Sequence, residues 1–239
     1  MSKELKELQR EISNNCDELC KIDSNKINII PDFNFEDHIE LKDEERGCRI
    51  YPYHFSSETP KYEFEWDDCP LFQISSNNVK RQVKIIKSWV LNKTKPSEIQ
   101  TQFPEIKLNK LAEYYEKGEG IKGEFIESWD ILENSRAKSL SIEYYEEIKD
   151  ELKLVKEMRS FNLHESLRIG SQLSVLILSR ARRQGIHEDE PQIRIVFLGD
   201  NKMKIYPNLN NNRISMESEV KYEGYLEDLI KELLKEEVK

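Results

Sequence analysis

Eight cationic side chains fall between Lys80 and Lys110: Lys80, Arg81, Lys84, Lys87, Lys93, Lys95, Lys107 and Lys110. Only Glu98 and Glu105 oppose them, so this stretch carries +6 in a 239-residue chain whose formal charge is −9. A cationic island on an otherwise anionic molecule is suited to phosphate, because lysine and arginine release counterions from a polyanion when they bind it. The four cysteines offer a second chemistry, metal ligation. Cys16 and Cys20 lie four apart on one helix face, while Cys48 and Cys69 stand alone. Neither half has the C-x-x-C spacing of a zinc knuckle, so reduced thiols are expected and no metal or cofactor is assigned. Eight glycines in the whole chain also leave little for a nucleotide-phosphate cradle.

The elements that would position the lysines can be read from residues 79–120. Val79, Val83, Ile86 and Val90 recur at helical spacing, widened by Ile85 and Trp89, which leaves Lys80, Arg81, Lys84 and Lys87 on other faces. Thr94 is the expected N-cap of a second helix, with Pro96 in its first turn. Ile99 and Phe103 point the same way, and Pro104 stops that helix. A third helix turns Leu108, Leu111 and Tyr115 inward and Lys107, Asn109, Lys110 and Glu113 outward, closed by Gly118 and Gly120.

Three short helices with sharp turns resemble the helix-turn-helix superfamily. The resemblance implies that the last helix enters the DNA major groove with Lys107, Asn109 and Lys110 at base edges. Lys80, Arg81, Lys84 and Lys87 would then lie on phosphates. The turn Phe103-Pro104-Glu105 departs from the small or glycine residue common in such modules. The alternative is a packing unit with a solvated basic face. The function expected is therefore a nucleic-acid-binding regulator or accessory subunit of a DNA-acting assembly, contacting DNA or RNA through residues 79–117. The alternative class is a protein-interaction subunit, of adaptor or inhibitor type, docking through its acidic surface.

Two enzyme resemblances are weaker. Arg159 and His164 have the R-x4-H spacing that resembles HEPN ribonucleases, which implies convergence of the two side chains at a dimer interface to cleave RNA. The same spacing recurs in Arg49…His54 and Arg182…His187, so it discriminates poorly. Pro31-Asp32 with Glu40-Leu41-Lys42 is similar to PD…ExK metal-dependent nucleases, but the gap is short. No P-loop, G-x-S-x-G, H-E-x-x-H or Rossmann glycine pattern is present, and no catalytic residue is assigned.

The remaining pattern gives an α+β, helix-dominated chain in three parts. Residues 1–76 are expected to hold an amphipathic helix (3–21, with Leu5, Leu8, Ile12, Cys16 and Leu19 on one face) and a small antiparallel sheet. Its hairpin comprises 48–55 and 61–66, turning at 56–60; residues 33–46 read as acidic and turn-like. Residues 77–120 are the helix-turn-helix-like module. Residues 121–239 are expected to be helical, with helices at 141–158 and 167–183, the latter central and buried because Leu173, Val175, Leu176, Ile177 and Leu178 wrap its circumference. Arg180, Arg182 and Arg183 would end that helix, pairing with Glu188, Asp189 and Glu190. A β-hairpin spans 192–206, and a terminal amphipathic helix carries Tyr222, Tyr225, Leu226, Leu229, Ile230, Leu233 and Leu234. The two terminal helices are candidate docking faces for a protein partner or a second copy. No apolar run reaches the ~18 residues of a membrane span, and the charged N-terminal stretch has no signal-peptide character, so a cytoplasmic protein is expected.

Overall fold

The computed structural model describes residues 3–20, 27–31, 37–52, 59–142, 146–182, 190–209 and 213–239. It divides into two units, Met1–Gly118 and Glu119–Lys239. Residues 77–120 are not a unit of their own: Val79, Val83, Ile86, Trp89, Ile99 and Leu111 belong to the same buried core as the N-terminal sheet.

The first unit begins with helix α1 (Lys3–Cys20). Five strands follow: β1 (Ile27–Ile30), β2 (His38–Asp43), β3 (Arg46–Tyr51), β4 (Lys61–Trp66) and β5 (Cys69–Ser75). They pair antiparallel in sequence order. Side chains alternate between faces. Ile39, Leu41, Cys48, Ile50, Tyr62 and Phe64 therefore enter the core with Leu5, Leu8, Ile12 and Cys16 of α1. The chain then forms α2 (Val79–Ile86), a π-helical turn (Lys87–Leu91), α3 (Pro96–Gln102) and α4 (Leu111–Glu116).

The second unit has a similar order of parts. Helices α5 (Gly120–Ile142) and α6 (Glu146–Ser160) and a 3₁₀ turn (Leu163–Glu165) precede five strands. These are β6 (Arg168–Gln172), β7 (Val175–Ser179), β8 (Gln192–Gly199), β9 (Lys202–Asn208) and β10 (Met216–Glu219), again antiparallel in sequence order. Helix α7 (Tyr225–Leu233) ends the unit. Trp129, Leu154, Met158, Leu176, Leu178, Ile193, Ile195, Met203, Ile205 and Leu229 share one core.

The expectation of a helix-dominated fold with one small sheet is overturned: 44% of residues are helical and 30% lie in strands, in two five-stranded antiparallel sheets. The largest correction is at 167–183, which is not a buried helix but the β6–β7 hairpin. Alternation separates Leu176 and Leu178, buried, from Val175 and Ile177, half-buried, and Leu173 sits at the turn, 94% exposed. Residues 38–43, expected to be turn-like, are β2, and β5 and β10 were not anticipated from sequence. The hairpin expected at 192–206 is present as β8 and β9, turning through Asp200 and Asn201, both with positive φ. The expected turn at 56–58, the partners Glu188 and Asp189, Arg183, Asp32 and the side chain of Cys20 lie outside the described residues. The apolar stripes of α1 and α7 are buried within their own units. Among the described residues no helix is long and apolar enough to cross a membrane.

Candidate nucleic-acid interface

Helix α2 starts at Asn78, whose Oδ1 accepts the Arg81 backbone N–H (3.1 Å) and so caps a first-turn donor. Val79, Val83, Ile85 and Ile86 are buried in the core of the first unit, where α2 packs on α1. That fixes the opposite face outward: Lys80, Arg81 and Lys84 are exposed and Lys87 is half-buried. Lys80, Lys84 and Lys87 stand at i, i+4 and i+7, so they form one row along the helix. The π-helical turn follows at Trp89, whose Nε1 donates to the Glu65 carbonyl (3.0 Å). Its ring meets Trp66 and Phe72 edge-on. Anchoring by so large a buried side chain holds α2 at a fixed roll, and hence its lysine row.

The cations of the island are not equally available. Both Nε and Nη2 of Arg81 bond Glu105 (2.9 and 2.8 Å), and the guanidinium lies 5.2 Å from the Phe103 ring centre. Lys93 pairs with Glu44. Lys95 lies in the field of Glu116. Lys80, Lys84, Lys87, Lys107 and Lys110 form no ion pair among the described residues.

The third helix departs from the sequence reading. It is the six-residue α4, and Lys107, Leu108 and Asn109 precede it, with Lys110 as its N-cap. Asn109 has other work. Its N–H donates to Leu71 O (2.9 Å), its Nδ2 to Pro70 O (2.7 Å), and its Oδ1 accepts from Ala112 N (3.2 Å). These bonds staple the chain to the free edge of β5 and delay the helix. The outward side chains of α4 include Glu113, which pairs with Lys117 (2.6 Å). Glu116 accepts from Ser97 N (2.9 Å) and Ser97 Oγ (2.7 Å). Those bonds hold its carboxyl below the usual range and cap α3, in place of the expected Thr94.

Three groups escaped the sequence reading or change it. The guanidinium of Arg46, 2% exposed, lies 3.5 Å from the Trp66 ring centre and 4.0 Å from that of Trp89, in the corner made by the two nearly perpendicular rings; burial lowers its pKa to about 10. Glu65, 1% exposed, meets Arg49 Nη1 at 2.8 Å. Arg159 on α6 bonds Asp130 (2.7 Å) and Glu133 (2.9 Å) of α5. His164, in the 3₁₀ turn, stacks edge-on with Trp129 and is held below its ordinary pKa by burial, then by Arg159. Arg159 and His164 thus lie in one neighbourhood, with two carboxylates engaging the arginine. His54 and His187 lie outside the described residues. Of the nuclease-like acids, Glu40 faces Arg49 (3.6 Å) and Lys42 pairs with Asp68. Cys16, Cys48 and Cys69 are buried and form no disulfide among the described residues. Among the described residues no group of three or more His, Cys, Asp or Glu could hold a metal ion.

No protein-family model, curated protein or solved structure matches the chain.

Proposed function

We propose that the chain binds the sugar–phosphate backbone of nucleic acid through the row of Lys80 and Lys84 on α2 and Lys87 at the start of the π-helical turn, extended by Lys107 and Lys110, and serves as an accessory subunit of a DNA- or RNA-acting assembly. The observation that supports this is the row itself: three lysines on one helix face with no ion pair among the described residues, in a chain with more carboxylates than cations. The segment bearing Lys107 and Lys110 is tied to α2 by Arg81–Glu105. At 1.5 Å rise per residue the row spans about 10 Å, along which a duplex presents roughly six phosphates. Base reading is left out of the proposal, because Asn109 spends its amide on β5 and Ala112 and α4 presents Glu113 and Glu116.

The test is fluorescence anisotropy on a labelled 20-base-pair duplex and an unrelated duplex across a salt series. Three to five phosphate contacts give a log–log slope of about −3 to −4.5, the same on both sequences. Lys80→Glu/Lys84→Glu/Lys87→Glu should abolish binding without moving the melting temperature. Absence of binding at low salt, or undiminished binding by the triple variant, refutes the proposal.

A further inference from the structure

We infer that a cleft on the second unit binds a small organic anion, a phosphate or carboxylate carried on an apolar body, in a site independent of the lysine row. One face of the second sheet packs on helices through Ile169, Leu176, Leu178, Ile193 and Ile195, all buried. Strand alternation sends the intervening residues to the other face. Register aligns them in two rows across three strands: Arg168–Ser179–Gln192 and Gly170–Ile177–Arg194. Helix α5 packs along β6 with Trp129 and Leu132 in the core. Its Ser128, Ile131 and Ser135 border the same space, and a cleft of about 510 Å³ results. That volume lies within the ~300–1,000 Å³ of small-molecule sites.

Its chemistry is selective. The 13 residues lining the cleft include two arginines and no carboxylate, in a chain where 46 of 239 residues are Asp or Glu. Arg194 makes no ion pair among the described residues; its nearest polar contact is Gln172 Oε1 at 3.5 Å. Gln192 is 5% exposed and lines the cleft, and its amide makes no hydrogen bond among the described residues. A guanidinium with one long internal contact, to a neutral amide, and a buried amide with no hydrogen bond among the described residues are matched by an oxyanion that accepts from both. Ile131, 62% exposed, and Ile177 give the cleft an apolar component that a bare inorganic ion would leave wet. At Gly170 an added Cβ would meet nothing within 4 Å, so this position borders open space.

Phenyl phosphate, inorganic phosphate and benzyl alcohol are the probes, titrated calorimetrically into the full chain at low salt. Phenyl phosphate is expected to bind one-to-one with Kd below about 1 mM, with inorganic phosphate at least about tenfold weaker and benzyl alcohol not detectable. Arg194→Gln should weaken phenyl phosphate by about tenfold or more, as expected for loss of a charge-assisted fork. Gly170→Leu should abolish binding by filling the cleft while the melting temperature holds, and the Lys80/Lys84/Lys87 triple variant should bind normally. The inference is overturned if phenyl phosphate gives no saturable heat, if inorganic phosphate binds as well, if the triple lysine variant loses binding, or if Gly170→Leu folds and still binds.

Discussion

Glu65→Gln should make the protein more stable at alkaline pH and leave it nearly unchanged in acid. Glu65 is buried on β4, and Arg49 reaches it at 2.8 Å. The ion pair does not decide its protonation. Burial pushes the carboxyl up from 4.5 to about 7; Arg49 opposes that, and Glu63, Asp68 and Glu40 push the same way as burial. Arg49 is shared, with Glu40 at 3.6 Å and Asp68 at 3.9 Å, so its charge is divided among three carboxylates. The folded protein therefore holds the Glu65 proton more tightly than the unfolded chain. Its contribution to stability is complete below about pH 4.5 and lost as pH rises through about 7. At about 1.36 kcal/mol per pH unit, the loss is about 3 kcal/mol. Glutamine mimics the protonated acid and has nothing to lose. Urea unfolding of both proteins at pH 4.5, 6 and 8 measures the difference directly. The variant should gain about 3 kcal/mol on the natural chain between the extremes, with a wild-type carboxyl ¹³C resonance titrating near 7. A pH-independent difference, or a variant that loses ground as pH rises, would mean that the Arg49 pair outweighs burial and would refute the reasoning.

Two further substitutions probe the fold. Arg46→Ala should cost about 3 kcal/mol, because it removes the guanidinium packed against both Trp66 and Trp89 and leaves a cavity; Arg46→Lys should recover little of that, since an ammonium lacks the planar face that lies against an indole ring. Denaturant midpoints decide both. Leu173→Gly should stabilise by up to about 1 kcal/mol, because Leu173 holds φ at +56° and is nearly fully exposed, so the change relieves backbone strain without removing packing; a lowered melting temperature would contradict this.

Legibility followed the strength of local periodicity. The stripes of α1, α2 and α7 recur at three and four residues, and each of those helices formed with the anticipated side buried. Residues 173–178 were deceptive because both faces of β7 are apolar, so strand alternation looks like a helix that is greasy all round. The turn that would have corrected the reading, Gln172-Leu173-Ser174-Val175, has neither Gly nor Asn at the position with positive φ. Strand β5 was hidden by Pro70, tolerated because β5 is an edge strand. Exposure of the α2 lysines could be read from spacing. Neutralisation of Arg81 by Glu105 and of Lys93 by Glu44 could not, since those partners are 24 and 49 residues away. The cleft is out of reach of sequence: Arg168, Gly170, Ile177, Gln192 and Arg194 meet only through the register of three strands, one pair of which carries the apolar pattern of a buried helix.

The two sheets show why the same arrangement of strands leads to different chemistry. In the first, residues facing away from the core form a cross-strand row, Glu40–Arg49–Glu63, in which charges alternate in sign between neighbouring strands. Lys42–Asp68 and Lys61–Glu63 complete ion pairs around it. Opposite charges across strands satisfy one another, so little field remains for a ligand. In the second, the corresponding face places Arg194 between Ile177 and Tyr206, neither of which can neutralise it. Lys204 has Glu217 across the strand boundary at 3.8 Å, so compensation returns toward the β10 edge. The uncompensated charge of this sheet is therefore confined to its β6–β8 side, where the cleft lies. A carboxylate introduced at Ile177 would pair with Arg194 and convert that side into the internally neutral arrangement of the first sheet. The availability of the site is thus set by one cross-strand neighbour rather than by the fold.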